Sequence, residues 1–209
     1  VPRDDQDPTS RLLDWRLISG STHHDDDYSD EGLRERKKRL MRQQISDTAT
    51  MLFLEHGFDE MKITDVAELC GVSEKTIYNY FPTKESLILD REEDMAQQIR
   101  DALGPNAEKT SPVEAMVKIL EMQTSELVAY WQNAGLMDMT AFQLFVERIE
   151  ETPSLRAAQM DMMQRLVQVA AVAMAERAGV DPLDPEPQIA AESLIGLWRI
   201  YFLTIAKYC

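Results

Sequence analysis

The segment from Ile63 to Ile88, ITDVAELCGVSEKTIYNYFPTKESLI, restricts the fold more than any other stretch of the chain. Ile63, Val66 and Ala67 recur at helical spacing and give a short helix one apolar face. Cys70 then falls where only a small side chain fits against a crossing helix. Gly71 permits left-handed backbone, Val72 is placed to plug the gap between two helices, and the Ser73 hydroxyl can accept from the N–H groups of Lys75 and Thr76. A second helix therefore begins at Glu74. At 3.6 residues per turn, Ile77 and Phe81 lie on its inner face, and Glu74, Lys75, Tyr78 and Asn79 on its outer face. The pattern is that of a helix-turn-helix.

Around this motif, cap and stop residues recur where apolar periodicity begins and ends, and they predict an all-α chain. A first helix is expected from Leu33 to His56, with Leu40, Ile45, Ala49, Leu52 and Phe53 as its apolar stripe and Gly57 as its stop. Thr83 is placed to cap a helix reaching toward Leu103, where Gly104 and Pro105 end it. Ser111-Pro112-Val113-Glu114 reads as a capping box with proline at the first helical position. Gly135 breaks the chain again. Thr152-Pro153 opens a long helix ending at Gly179, and Asp184-Pro185 opens the last, ending near Lys207. The expected organisation is an acidic flexible tail at 1–31, a three-helix helix-turn-helix domain at 32–82, and a larger helical domain at 83–209.

The net charge of −15 is unevenly spread. Residues 1–31 hold nine acids and three bases, residues 85–209 twenty acids and ten bases, and only residues 32–84, with nine bases and eight acids, escape the acidic excess. Within that stretch Arg34, Arg36, Lys37, Lys38, Arg39 and Arg42 crowd around a single acid, Glu35, a candidate phosphate-contacting arm. The acidic start does not read as a signal peptide, and no charge-free apolar run reaches the roughly 18 to 20 residues of a membrane span. Cys70 and Cys209 stand far apart and make neither a disulfide framework nor a zinc site, which suits a reducing cytoplasm. No nucleophile-base pair, phosphate-binding glycine loop or helix-spaced metal ligands occur, so an enzyme on a helical bundle is the weaker alternative and no cofactor is expected.

The motif resembles the DNA-binding domain of the TetR/AcrR family through Gly71, Val72, Ser73, Thr76, Ile77, Tyr78, Tyr80, Phe81 and Lys84, with Leu87 and Ile88 completing the ending. That resemblance implies a regulator of transcription bound to double-stranded DNA. It gives Tyr78, Tyr80 and Lys84 to phosphates, and Lys75, Thr76 and Asn79 to base edges, roles that suit their donors. Ser73 as cap, Glu74 beside the groove and Arg39 on the basic helix complete the expected contacts. One departure concerns Lys62, which stands where many relatives open the first helix of the motif with threonine or serine. Thr64 follows two residues later, so both are candidates for the backbone contact.

Beyond residue 90 the resemblance rests on helix order and on Glu150–Arg156, EETPSLR, and is to actinobacterial members of the mycofactocin type. The last two helices carry more apolar residues than one core stripe needs. The surplus, with the family, implies a homodimer through those helices, reading a palindromic operator with recognition helices about 34 to 36 Å apart. Met116, Leu120, Gln123, Trp131, Phe142, Phe145, Met163 and Trp198 are the candidate lining of a pocket for a small apolar or aromatic effector whose binding releases the operator. A DNA-binding dimer without any effector is the alternative.

Overall fold

A computed structural model describes residues 32–133 and 140–208, with the side chains of 127–133 set aside. The expected tail at 1–31 and the expected break at Gly135 lie outside the described residues. All regular structure among the described residues is helical: α1 Leu33–His56, α2 Ile63–Cys70, α3 Glu74–Tyr80, α4 Lys84–Ile88, α5 Glu92–Leu103, α6 Pro112–Asn133, α7 Thr140–Glu151, α8 Pro153–Ala178 and α9 Pro185–Tyr208. The chain divides into two compact units. Of the described residues, the first unit holds 32–90, 129–133 and 140–148, and the second holds 91–128 and 149–208.

In the first unit, α1 is the spine on which α2 and α4 pack. Ile45, Ala49 and Phe53 are wholly buried along it, and Val66, Ile77, Phe81 and Leu87 close the core from α2 to α4. Phe53 meets Phe58 and Phe145 edge-on, at ring-centroid distances of 6.4 and 5.7 Å. Such aromatic edges add to plain area burial. Leu40, expected in the apolar stripe of α1, is instead 49% exposed. It sits among the charged residues at the start of α1, a turn before the core begins at Ile45.

Gly57 ends α1 with φ +82°, and a Cβ there would come within 2.9 Å of Arg148 Nη1. The expected single helix from Thr83 to Leu103 is two. Thr83 accepts from the Ser86 N–H while the Ser86 hydroxyl accepts from the Thr83 N–H, a reciprocal cap for the five residues of α4. The chain then leaves helical geometry at Leu89, with ψ 56°, and α5 restarts at Glu92. The Asp90 carbonyl accepts from Arg42 Nη2 at 3.2 Å and so is drawn toward α1. Glu92, Glu93 and Asp94 supply the negative charge that a new helix N-terminus favours.

In the second unit, α8 packs against both α5 and α9. It buries Leu155, Met162, Leu166, Val167, Ala170, Ala171 and Ala175. The Ser111–Glu114 capping box forms as expected, with Glu114 N–H donating to Ser111 Oγ at 3.2 Å and Ser111 N–H to the Glu114 carboxylate at 2.9 Å. Gly179, at φ +71°, ends α8. Arg165 clasps Glu92 with two hydrogen bonds, at 2.5 and 2.8 Å, fastening the start of α5 to α8. By length and composition α9 is apolar enough to cross a membrane, although Glu192 and Arg199 interrupt it and leave no charge-free run of spanning length. Ala191, Leu194, Ile195 and Ala206 of the same helix are buried in this unit, while Ile189, Leu197 and Ile200 are exposed.

Candidate functional site

The geometry of the motif follows from its turn. The Gly71 backbone is left-handed, at φ +66° and ψ 32°, and the Gly71 and Val72 N–H groups close the end of α2 onto the carbonyls of Glu68 and Ala67 at 3.1 and 2.9 Å. Ser73 then takes extended backbone and its Oγ accepts from the Thr76 N–H at 3.1 Å, which opens α3. Ile77 and Phe81 are buried to within 1% of complete and fix the rotation of α3. With those two held inside, Glu74, Lys75, Tyr78 and Asn79 are exposed together on the opposite face. A short helix offers two amide or ammonium donors, a phenol and a carboxylate there, and base edges are read by such groups.

The remaining expected contacts divide. Thr76 is half-buried and its hydroxyl is hydrogen-bonded to Ser73 Oγ at 2.9 Å, so it reinforces the cap as well as facing outward. Tyr80 is half-buried. Lys84 Nζ donates to the Asp59 carbonyl at 3.4 Å and stands 4.6 Å from the centre of the Phe58 ring, a placement that holds its ammonium near the start of α4. Lys62 is the residue preceding α2 and makes no side-chain cap, while the Thr64 hydroxyl donates to Asp65 at 3.1 Å. Neither closes the start of α2, and both are exposed.

Arg34, Arg36, Lys37 and Lys38 are exposed at the start of α1, with Arg39 half-buried beside them. Arg42, grouped with these by sequence, is a structural residue. Its Nη1 donates to the Tyr80 carbonyl at 2.8 Å, its Nη2 to the Asp90 carbonyl, and its guanidinium lies 4.3 Å from the centre of the Phe81 ring. It therefore caps the C-terminal end of α3 from the side of α1. Charge in a sequence does not distinguish a cation that meets phosphate from one that meets its own backbone.

Two titratable groups lie beneath this surface. Cys70 is buried against α1 with its thiol 3.4 Å from Thr48 Oγ1, and burial pushes the thiol pKa up, which leaves it a small apolar filler as its position suggested. Asp47, on the same helix, is raised to about 6, first by burial and then by the charge of Asp90.

The second unit holds a cavity lined by Met95, Ile99, Met116, Ile119, Gln123, Leu166, Ile195 and Trp198. Of the residues expected to line a pocket, it brings together Met116, Gln123 and Trp198. Met163 is buried in α8 and Leu120 is half-buried in α6, neither of them on this cavity. Phe142 and Phe145 belong to the first unit, where Phe145 packs on Phe53. Trp131 lies outside the described side chains. The cavity measures about 10 Å³, the space of about one water. Its polar feature is Gln123, whose Oε1 accepts from Trp198 Nε1 and whose Nε2 donates to Gln98 Oε1, both at 2.8 Å. Sequence reasoning missed Gln98 because nothing local marks a glutamine as the partner of another 25 residues on.

Two family models match the chain: "Bacterial regulatory proteins, tetR family" over residues 45–90, and "MftR C-terminal domain" over residues 113–204. The chain belongs to the TetR family. The first match ends at Asp90, where the first compact unit pauses, and it contains all of α2, α3 and α4. Among curated relatives, this TetR-family chain is 23% identical over 78% of its length to a protein named as a mycofactocin biosynthesis transcriptional regulator, MftR, of Mycobacterium tuberculosis, again covering 78% of that protein. It is 27% identical over 85% of its length to the HTH-type transcriptional repressor KstR of Rhodococcus jostii, covering 76% of it. It is likewise 27% identical over 72% of its length to the HTH-type transcriptional regulator TcmR of Streptomyces glaucescens, covering 66% of it. This TetR-family chain is thus a DNA-binding regulator of transcription and not an enzyme.

Proposed function

We propose that the protein is a cytoplasmic, homodimeric repressor that holds a palindromic operator through α3 of each copy and leaves it when a small apolar or aromatic molecule enters the second unit. The observation that carries the reading is the rotation of α3. Ile77 and Phe81 are buried, so Lys75, Tyr78 and Asn79 are jointly presented outward with the helix N-terminus leading. Lys75 and Asn79 read bases in this account. Tyr78, Tyr80 and Lys84 hold phosphates, with Lys62, Thr64 and the arm at Arg39 beside them.

Dimerisation is supported by the outer face of α9, where Ile189, Leu197 and Ile200 are 65%, 59% and 54% exposed. Ser193 and Gly196 fall between them and Thr204 follows Ile200, at spacings of three and four residues along one face, so a second helix can approach closely. Met160 and Val172 of α8 are exposed as well. Apolar surface of that kind, on two long helices, is what a stable protein interface covers.

Effector release rests on the cavity that Met95 and Met116 help to line and on the half-buried amide of Gln123. Because the cavity holds about one water, a ligand must displace side chains to enter, and Met95 and Met116 are flexible enough to move. The small size of the same cavity favours a second reading, a DNA-binding dimer with no effector. One experiment addresses both: selection of binding sites from random duplexes by the purified protein, repeated with a panel of apolar and aromatic small molecules. Enrichment of a two-fold symmetric site that a panel member abolishes supports the repressor. An enriched site that no ligand disturbs supports the second reading, and no enrichment overturns both.

A further inference from the structure

The cavity of the second unit has one polar wall. Apart from Gln123 and Trp198 its lining is methionine, isoleucine and leucine, and among the described residues no charged side chain lines it. An indole N–H can only donate, so Trp198 fixes which end of the Gln123 amide faces it. Gln123 Oε1 accepts from Trp198 Nε1 at 2.8 Å, and Gln123 Nε2 is left to donate to Gln98 Oε1, also at 2.8 Å. These two bonds leave Gln123 one further amide hydrogen and one oxygen lone pair. We infer that Gln123 selects the effector: the part of the molecule that enters the cavity is uncharged, largely apolar, and carries a carbonyl or hydroxyl group that bonds to this amide. The inference rests on the proposed reading that a small molecule enters this cavity.

The amide is held in place from three helices. Gln98 lies on α5, Gln123 on α6 and Trp198 on α9, so the bonded row crosses all three. One residue further along α6, Thr124 Oγ1 and the Tyr201 hydroxyl lie 2.8 Å apart, a second bond between α6 and α9. Phe202 packs on both aromatic neighbours, with ring centroids 5.0 Å from Trp198 and 5.5 Å from Tyr201. A group fixed in this way meets a ligand with little further loss of freedom. A ligand carbonyl accepts from the spare N–H, and a hydroxyl either accepts from it or donates to the spare lone pair. A carboxylate or an ammonium would leave water for a wall without an opposite charge, which costs far more than one hydrogen bond returns. A pure hydrocarbon fills the apolar part but covers the spare N–H without pairing it. The cavity itself measures only about 10 Å³, so entry displaces the flexible side chains of Met95 and Met116, whereas the bonded row need not break.

The test uses the full chain carrying Trp15→Phe and Trp131→Phe, which leaves Trp198 as its sole indole. Cyclohexanone, cyclohexanol and cyclohexanecarboxylate are titrated at about pH 8, where the carboxylate is ionised. Binding is read from Trp198 fluorescence and from its indole N–H resonance. The two neutral probes should give saturable shifts, with the carboxylate binding at least about tenfold more weakly. Gln123→Glu keeps an acceptor for Trp198 Nε1 and for a hydroxyl but offers no N–H, so it should weaken cyclohexanone about tenfold and cyclohexanol less than about threefold. Gln123→Met, which offers neither, should weaken both about tenfold. Carboxylate binding as tight as that of the neutral probes overturns the inference, and so do ketone and alcohol affinities that Gln123→Glu lowers equally or leaves unchanged. In each of those cases a ligand still enters the cavity, and the reading on which the inference rests survives. If none of the three probes moves either signal, that reading fails and the inference with it. Circular dichroism checks the fold of each variant, and should Gln123→Met not fold, the contrast between ketone and alcohol in the nearly isosteric Gln123→Glu decides alone.

Discussion

At the scale of single residues, the outer face of α3 separates roles that substitution can resolve. Tyr78→Ala and Lys84→Ala should each weaken binding to operator and random duplex by a similar factor, while Lys75→Ala should alter base preference at one position of each half-site by about 1 to 3 kcal/mol. Quantitative binding to a panel of single-base operator variants checks this, and uniform losses for all three would remove the division between base and phosphate contacts. Asp47 gives a pH prediction. Its folded pKa, raised to about 6 by burial and by Asp90, exceeds the ordinary carboxylate value, so the folded state binds its proton more tightly than the unfolded state does. This residue therefore favours folding increasingly as pH falls from about 7 through 6 toward 4, and opposes it above. Asp47→Asn should raise stability at pH 7.5 by on the order of 1 kcal/mol, after discounting for its partial exposure, and gain little at pH 4.5. Denaturant midpoints at the two pH values measure it, and equal gains at both would assign the effect to packing.

At the scale of elements, the Ser73 cap and the Gly71 turn set where α3 begins and how it is rotated. Ser73→Ala should lower the stability of the first unit by about 1 kcal/mol and lower operator affinity further than Ser73→Asp, which keeps an acceptor for the Thr76 N–H. Thermal unfolding alongside binding would show it, and equal behaviour of the two variants would deny the cap that role. These features were legible in the sequence because each is local: a left-handed glycine, a hydroxyl three residues before the N–H it accepts, and apolar residues at helical spacing. The break between α4 and α5 was not read, since Leu89, Asp90 and Arg91 include neither glycine nor proline. Its signal was the acidic triplet from Glu92 to Asp94, which marks a helix start. Arg42 and Phe145 were misplaced for a different reason. Their partners, Tyr80 and Phe53, lie 38 and 92 residues away, and only the tertiary fold brings them together.

At the scale of the whole molecule, the proposed dimerisation and effector release rest on the exposed apolar residues of α9 and on the small cavity beside Gln123. Leu197→Glu with Ile200→Glu should convert a dimer to a monomer by sedimentation and lower operator affinity at least tenfold, because each copy then contributes one half-site alone. Retention of the dimer would move the interface elsewhere. Of this level the sequence supplied the excess of apolar residues on α8 and α9 but not the cavity, whose lining comes from α5, α6, α8 and α9 at positions far apart in the chain. The central claim remains that α3 reads DNA sequence from a face fixed by Ile77 and Phe81. The most direct measurement is a random-duplex selection carried out in parallel with the unaltered protein and with Lys75→Ala. The account predicts a symmetric site whose half-sites lie about one helical turn, or a multiple of it, apart, with base preference changed at one position of each half-site in the variant. Identical selected sites from the two proteins, or no symmetric site from the unaltered one, would contradict it.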